Sequence, residues 1–302
     1  MTSADKLRNM VRGAYDIQQL RIQMGNRFVA NYMVKLGLEP STKIEDMSDD
    51  GKKILDKCRA SYKKMTDGIL NLPSRSKFKP DQVISDYAEL ILIDAYLNME
   101  TQEKNCFYQL EKILTDFPIY TEFLKNVRGC GPAMAAVIIS EIDIHKARYP
   151  SSLHLLAGLD VAPDGKGRSM RKEHLVDREY VDKDGEIKTK KSITFKPFLK
   201  TKFMGVLSGS FLRSSSPYKV VYDNYKNRLE NHPAHQEKTK LHRHNMALRY
   251  MMKRFLVDLY VAWRTLEGLE VSEEYQVAKL GIVHSQPSLV YELGSMKKAV
   301  NE

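Results

Sequence analysis

The sequence predicts a mainly α-helical protein: an N-terminal helical bundle or coiled coil, then a second helical domain with one inserted β-hairpin. Three observations carry this. Apolar residues recur at helical spacing through long stretches of both halves. A Gly129-Cys130-Gly131-Pro132 turn opens directly onto a run of small and apolar residues. The period changes to two only around Asp182-Lys183-Asp184-Gly185, whose Asp-Gly pair is a strong hairpin signal.

Taken in order, Thr2 or Ser3 can cap a first helix carrying Leu7, Met10, Val11, Ala14 and Ile17, then Phe28, Val29, Tyr32 and Met33, with Gly37 and Pro40 ending it. A second stripe runs through Ile54, Leu55, Cys58, Tyr62, Met65 and Ile69 to a stop at Pro73. After a basic loop with Arg75, Lys77 and Lys79, the longest stripe extends from Val83 to Leu114. Residues 1–117 are therefore read as a helical bundle, and its long apolar stripes make it an oligomerisation module, so a homo-oligomer is expected.

Residues 118–268 form the second domain. Phe123, Leu124 and Val127 belong to a helix ahead of the glycine turn, and Pro132 suits the first position of the next one. Helix, Gly-x-Gly turn and small-residue helix make a helix-hairpin-helix, whose outward amides and helix dipole suit a phosphate. A plain αα-hairpin capped by glycine is the competing explanation. A short helix over 150–157, a Gly/basic loop over 163–172, strands over 174–181 and 186–195, and helices over 197–212, 217–229 and 240–266 follow. Residues 269–302 read as a peripheral tail.

Lys and Arg number 48 against 38 acids, a net +10 that favours a polyanionic partner. Three scattered cysteines with no CxxC pair fit neither a disulfide framework nor a zinc knuckle and suit a reducing cytoplasm. No leader-like or membrane-length apolar run is visible, so a cytoplasmic protein without membrane contact is expected. Gly165-Lys166 is not a nucleotide loop: Asp160 stands where the first glycine belongs and Gly167 where Ser or Thr belongs. Nor is Asp182–Gly185 a calcium loop, since Tyr180 and Lys191 occupy the first and last ligand positions. His232, His235, His242 and His244 lack the spacing of a zinc site, and no cofactor is expected.

What remains is phosphate chemistry. Expected DNA-backbone contacts are Arg128, Gly129 and Gly131 at the turn, then Lys166, Arg168, Arg171 and Lys172 in the loop. Lys190, Lys191, Lys196 and Lys200 follow it, and Arg243 and Arg249 lie on the last helix. Structured RNA or an acidic protein is a second class of partner, with the chain as a helical scaffold. Ser169, among Arg168, Arg171 and Lys172, is the candidate nucleophile, with a plain loop serine as the bland explanation.

The stretch 123–159, with Val127-x-Gly129-Cys130-Gly131-Pro132-x-x-Ala135-Ala136 and Tyr149-Pro150-Ser151-Ser152…Ala157-Gly158-Leu159, resembles the C-terminal domain of RNA-bridged, serine-dependent insertion-sequence transposases. The likeness continues through the Gly/basic loop, Pro217-Tyr218…Tyr222…Tyr225 and 244–260. It implies DNA binding and, as the alternative, DNA transposition or recombination by Ser169 with magnesium. Two departures stand out. The family's RNase H-like acidic domain is replaced here by helices, and its serine falls nearest Ser169 or else at Asp164. The hairpin over 174–195 is no part of the resemblance.

Overall fold

The computed structural model describes residues 3–35, 49–66, 78–79 and 82–273. Among them the chain is mainly α-helical with a single two-stranded antiparallel sheet, the fold class expected from the sequence. It divides into two compact units, one of residues 9–110 and one of the first eight residues with residues 111 onward.

The first unit holds most of α1 (Ser3–Lys35), all of α2 (Asp49–Thr66) and most of α3 (Tyr87–Leu114). Its core takes Phe28, Val29, Tyr32, Ile54, Leu55, Cys58 and Ile84 from the stripes read in the sequence. On α3, however, the buried face is Leu90, Ile93 and Tyr96, while Ile91, read as part of the third stripe, is exposed. Partly buried ion pairs tie the helices laterally, Lys35 to Glu89 at 2.9 Å and Arg59 to Glu100 at 2.6 Å. The expected stops at Gly37, Pro40 and Pro73, the last apolar position Ile69, and the basic residues Arg75 and Lys77 lie outside the described residues.

In the second unit proline sets the boundaries. Helices α4 (Pro118–Glu122), α5 (Pro132–Glu141), α6 (Pro150–Leu156), α7 (Pro197–Thr201) and α9 (Pro217–Asn231) each begin on it. Proline's fixed φ suits that position, and its missing N–H would have had no intrahelical partner. A π-helical turn, Lys202–Leu207, joins α7 to α8 (Ser208–Arg213). Helix α10 (Lys240–Leu266) starts at Thr239, whose hydroxyl accepts the His242 amide at 3.2 Å.

Helix α5 is buried from Met134 to Glu141, as a helix apolar on every side from Met134 to Ile139 must be, with Glu141 at its end paired to Lys196. Helix α10 supplies the other half of the core. Phe255 meets Phe211 and Tyr218 edge-on, at 5.3 and 5.4 Å between ring centroids. The buried Tyr218 hydroxyl donates to Asp258 at 2.9 Å, which spares both groups the cost of unpaired burial. Further along α10, Tyr260 donates to the Arg148 carbonyl at 2.6 Å and Arg264 to that of Ala147 at 2.8 Å. These bonds fix the segment leading into α6.

The strands are shorter than the alternation suggests: β1 (Val176–Val181) and β2 (Ile187–Ser192). His174 falls in a single 3-10 turn, Lys172–His174, and its side chain is buried in the preceding loop. The Asp182–Gly185 turn forms as expected, with Gly185 at φ +83°.

Candidate nucleic-acid interface

The glycine turn differs in detail from the pattern that announced it. The segment before it is not a full helix but α4 followed by a 3-10 turn, Leu124–Asn126. Only Gly129 has positive φ, at +94°, and a Cβ there would stand 2.5 Å from Ser214 Oγ and 2.9 Å from the Phe211 ring. Its carbonyl accepts a 2.7 Å bond from Ser210 Oγ. Gly129 thus fastens the turn to α8. Gly131 has φ −75°, faces open space and caps α5, so a need for positive φ there is not met. Cys130 is buried, and desolvation pushes its thiol up to about 12. Arg128 stays exposed.

The loop after α6 is more tightly built. Pro163-Asp164-Gly165 turns the chain, with Gly165 at φ +74° and its amide bonded to the Ala162 carbonyl at 3.0 Å. The arms are held by Ala162 N to Lys166 O at 2.8 Å and a bridge between Val161 and Gly167. Asp164 accepts the Lys166 amide at 2.9 Å with one oxygen and His174 Nε2 at 3.1 Å with the other. Those two bonds, the amide first, hold its carboxyl below the usual range.

At its other nitrogen, His174 Nδ1 lies 2.9 Å from both the amide and the hydroxyl of Ser169. An amide can only donate, so Nδ1 is an acceptor and the ring proton sits on Nε2, facing Asp164. The Ser169 hydroxyl then donates to Nδ1 while accepting from Arg171 Nε at 3.0 Å. Asp164, His174 and Ser169 form one hydrogen-bonded chain ending at a half-buried hydroxyl.

Beneath this loop lies a cluster of cations. Arg168 grips Asp160 Oδ2 through Nε and Nη2, at 2.9 and 2.7 Å. Its carbonyl accepts from Lys200 of α7 and, at 3.4 Å, from Arg249 of α10. Gly167 has no side chain because the Arg249 guanidinium occupies that space. Burial lowers the Lys200 pKa to about 8, Arg249 beside it adds repulsion, and Asp160 opposes both. Arg249 and Lys253 are also lowered by burial, and Lys253 further by Arg249. Arg249 Nη1 is buried with no hydrogen-bond partner among the described residues.

The remaining expected contacts are dispersed. Lys166, Arg171 and Lys172 are exposed on the loop. Lys190 and Lys191 lie on the strand pair. Lys196 is taken up by buried Glu141, 3.0 Å from its carboxylate. Arg243 closes the turn before α10, donating to the Lys238 carbonyl at 2.7 Å. His244 accepts or donates at 2.7 Å with the Tyr222 hydroxyl, and no group of three or more His, Cys, Asp or Glu side chains that could hold a metal exists among the described residues. Asp160, His174 and Lys253 were not singled out from sequence as site residues, and Asp164 only as the alternative position of the resembled family's serine. Of these, Lys253 had a visible signal, lying one helical turn after Arg249 in a run otherwise rich in apolar residues.

Compared with protein-family models, with curated proteins and with solved structures, the chain gives no match. No described helix is long and apolar enough to cross a membrane.

Proposed function

We propose that this protein binds DNA through the phosphate backbone, as the resembled transposase domain implies, with the loop over 160–174 and the cations beneath it as the centre of the interface. The observation that carries this reading is the crowding of Arg249, Lys200 and Lys253 around the single Asp160 carboxylate, where Arg249 Nη1 and Asp160 Oδ1 are both buried without a hydrogen-bond partner among the described residues. Buried like charges destabilise the free protein, and a phosphate anion relieves them. The exposed Lys166, Arg171 and Lys172 extend the same potential to the surface. Titrating labelled duplex DNA at several salt concentrations tests it. Affinity should fall steeply with salt and weaken strongly in Arg249→Gln with Lys253→Gln. Salt-insensitive binding, or preference for structured RNA over duplex DNA, contradicts it.

A second reading, serine-dependent strand transfer, is favoured by the Asp164–His174–Ser169 chain. In that reaction His174 Nδ1, 2.9 Å from Oγ, takes the Ser169 proton as Oγ bonds to phosphorus. The P–O bond to one strand end breaks, and the departing deoxyribose oxygen takes up a proton from His174 or water while the neighbouring cations offset the developing charge. Metal for that reaction would come with a separate acidic domain. A covalent protein–DNA adduct absent in Ser169→Ala would establish it, whereas no adduct with any DNA, alone or with an acidic partner, would remove it.

A further inference from the structure

The strand pair carries its charge in a way its composition conceals. Every residue of β1 and β2 except Ser192 is exposed, so no layer of the described residues covers either face. Side chains alternate along a strand, and directly paired residues share a face. The register pairs Val176 with Ser192, Arg178 with Lys190 and Tyr180 with Lys188 on one face. On the other it pairs Asp177 with Lys191, Glu179 with Thr189 and Val181 with Ile187. The first face has Arg178, Lys188 and Lys190 with no acid, and the second has two acids against one lysine. Like charges opposite each other, as at Arg178 and Lys190, cost stability in a sheet that has little to spare. Lys190 Nζ lies 4.8 Å from the Tyr180 ring centroid, which turns the aromatic toward the cations. Lys188 is shared with Asp182 and Glu186 of the turn, and Lys191 is neutralised by Asp177 at 2.9 Å.

We propose that the Arg178–Tyr180–Lys190 face of this ribbon lies in the major groove of duplex DNA, with its two cations on the flanking phosphates. This rests on the DNA-binding reading above. A two-stranded ribbon fits the roughly 12 Å wide major groove of B-form DNA. The deep, narrow major groove of A-form RNA does not admit it. Six residues per strand reach about 20 Å, enough to cross that groove. The acidic face, turned away from the phosphates, fixes which side docks.

Fluorescence anisotropy with duplex DNA and with an RNA duplex of the same sequence tests this. Arg178→Gln with Lys190→Gln removes the charges but keeps unbranched polar side chains on exposed positions, so folding is preserved. That pair should lower DNA affinity on the order of tenfold and reduce the salt slope by about two, one per lost phosphate contact. Lys191→Gln should change neither, and RNA binding should be weaker throughout. Equal losses from Lys191→Gln and Lys190→Gln, or no loss from the double variant while the Arg249/Lys253 variant still loses binding, overturns the ribbon's role alone. Should the unaltered protein bind no duplex DNA, the wider reading goes and takes this one with it. A cross-check uses Asp177→Lys with Glu179→Lys: if the basic face docks, adding cations to the other face leaves the salt slope within about one contact.

Discussion

The cations packed beneath the loop over 160–174 and those of the ribbon that follows it are held by different physics. Ribbon lysines and Arg178 are solvated and spaced by the pleat, so their charge is cheap to maintain and screened by salt. Lys200, Arg249 and Lys253 are pressed together from two helices and partly desolvated, with Asp160 as their shared counter-charge. The lesson is that charge density along a chain does not measure anion affinity. Preorganised, desolvated cations gain far more from a phosphate than free surface ones.

The largest effect that would break this comparison comes from Gly167→Val. Its side chain would occupy the place of the Arg249 guanidinium and scatter the cluster, so DNA affinity should drop on the order of a hundredfold at moderate salt. A loss no larger than that of the Arg178/Lys190 ribbon variant would put the two regions on the same footing. Gly131→Val, facing open space with an ordinary φ, should leave the fold intact, whereas Gly129→Ala should cost about 1–3 kcal/mol by thermal unfolding.

A pH series separates the regions further. Lys200 has a folded pKa near 8, below its unfolded value, so the folded state binds fewer protons than the unfolded chain above that pH. Thermal stability should therefore gain a favourable contribution as pH rises through about 8. DNA affinity should move the other way, because neutral Lys200 no longer attracts phosphate. Both trends should weaken in Lys200→Gln, leaving the share of Lys253, and persist in full in the ribbon variant. Affinity that is flat between neutral and mildly alkaline pH would detach Lys200 from the interface.

The smallest effect is expected at the serine. Ser169→Ala should alter affinity less than about twofold, since Arg and Lys make the phosphate contacts. A larger loss would mean the hydroxyl itself holds DNA.

Much of the scaffold was legible in the sequence because period and punctuation agree. The bounds of α10 follow from its apolar stripe and Gly268, and those of α9 begin correctly at Pro217. The turn at Asp182–Gly185 declares itself through Asp-Gly. What the sequence concealed was tertiary. His174, read as the start of a strand, turns back into the loop to meet Ser169 and Asp164, a placement that no local propensity encodes. Lys196 looked like one more cation of the patch, but buried Glu141 claims it. Gly129 and Gly131 are equivalent in a motif, and only the packing of Phe211 and Ser214 tells them apart.

The ribbon's base has a consequence for its length. Val176 and Ser192 are cross-strand partners, so the chain departs from the body and returns to it about 5 Å apart. Arm length is thereby uncoupled from the core. Adding two residues to each strand extends the reach by about 7 Å and keeps every side chain on its own face. Adding one would exchange the basic and acidic sides. The arm can therefore be lengthened or shortened in even steps without altering the residues that anchor its base.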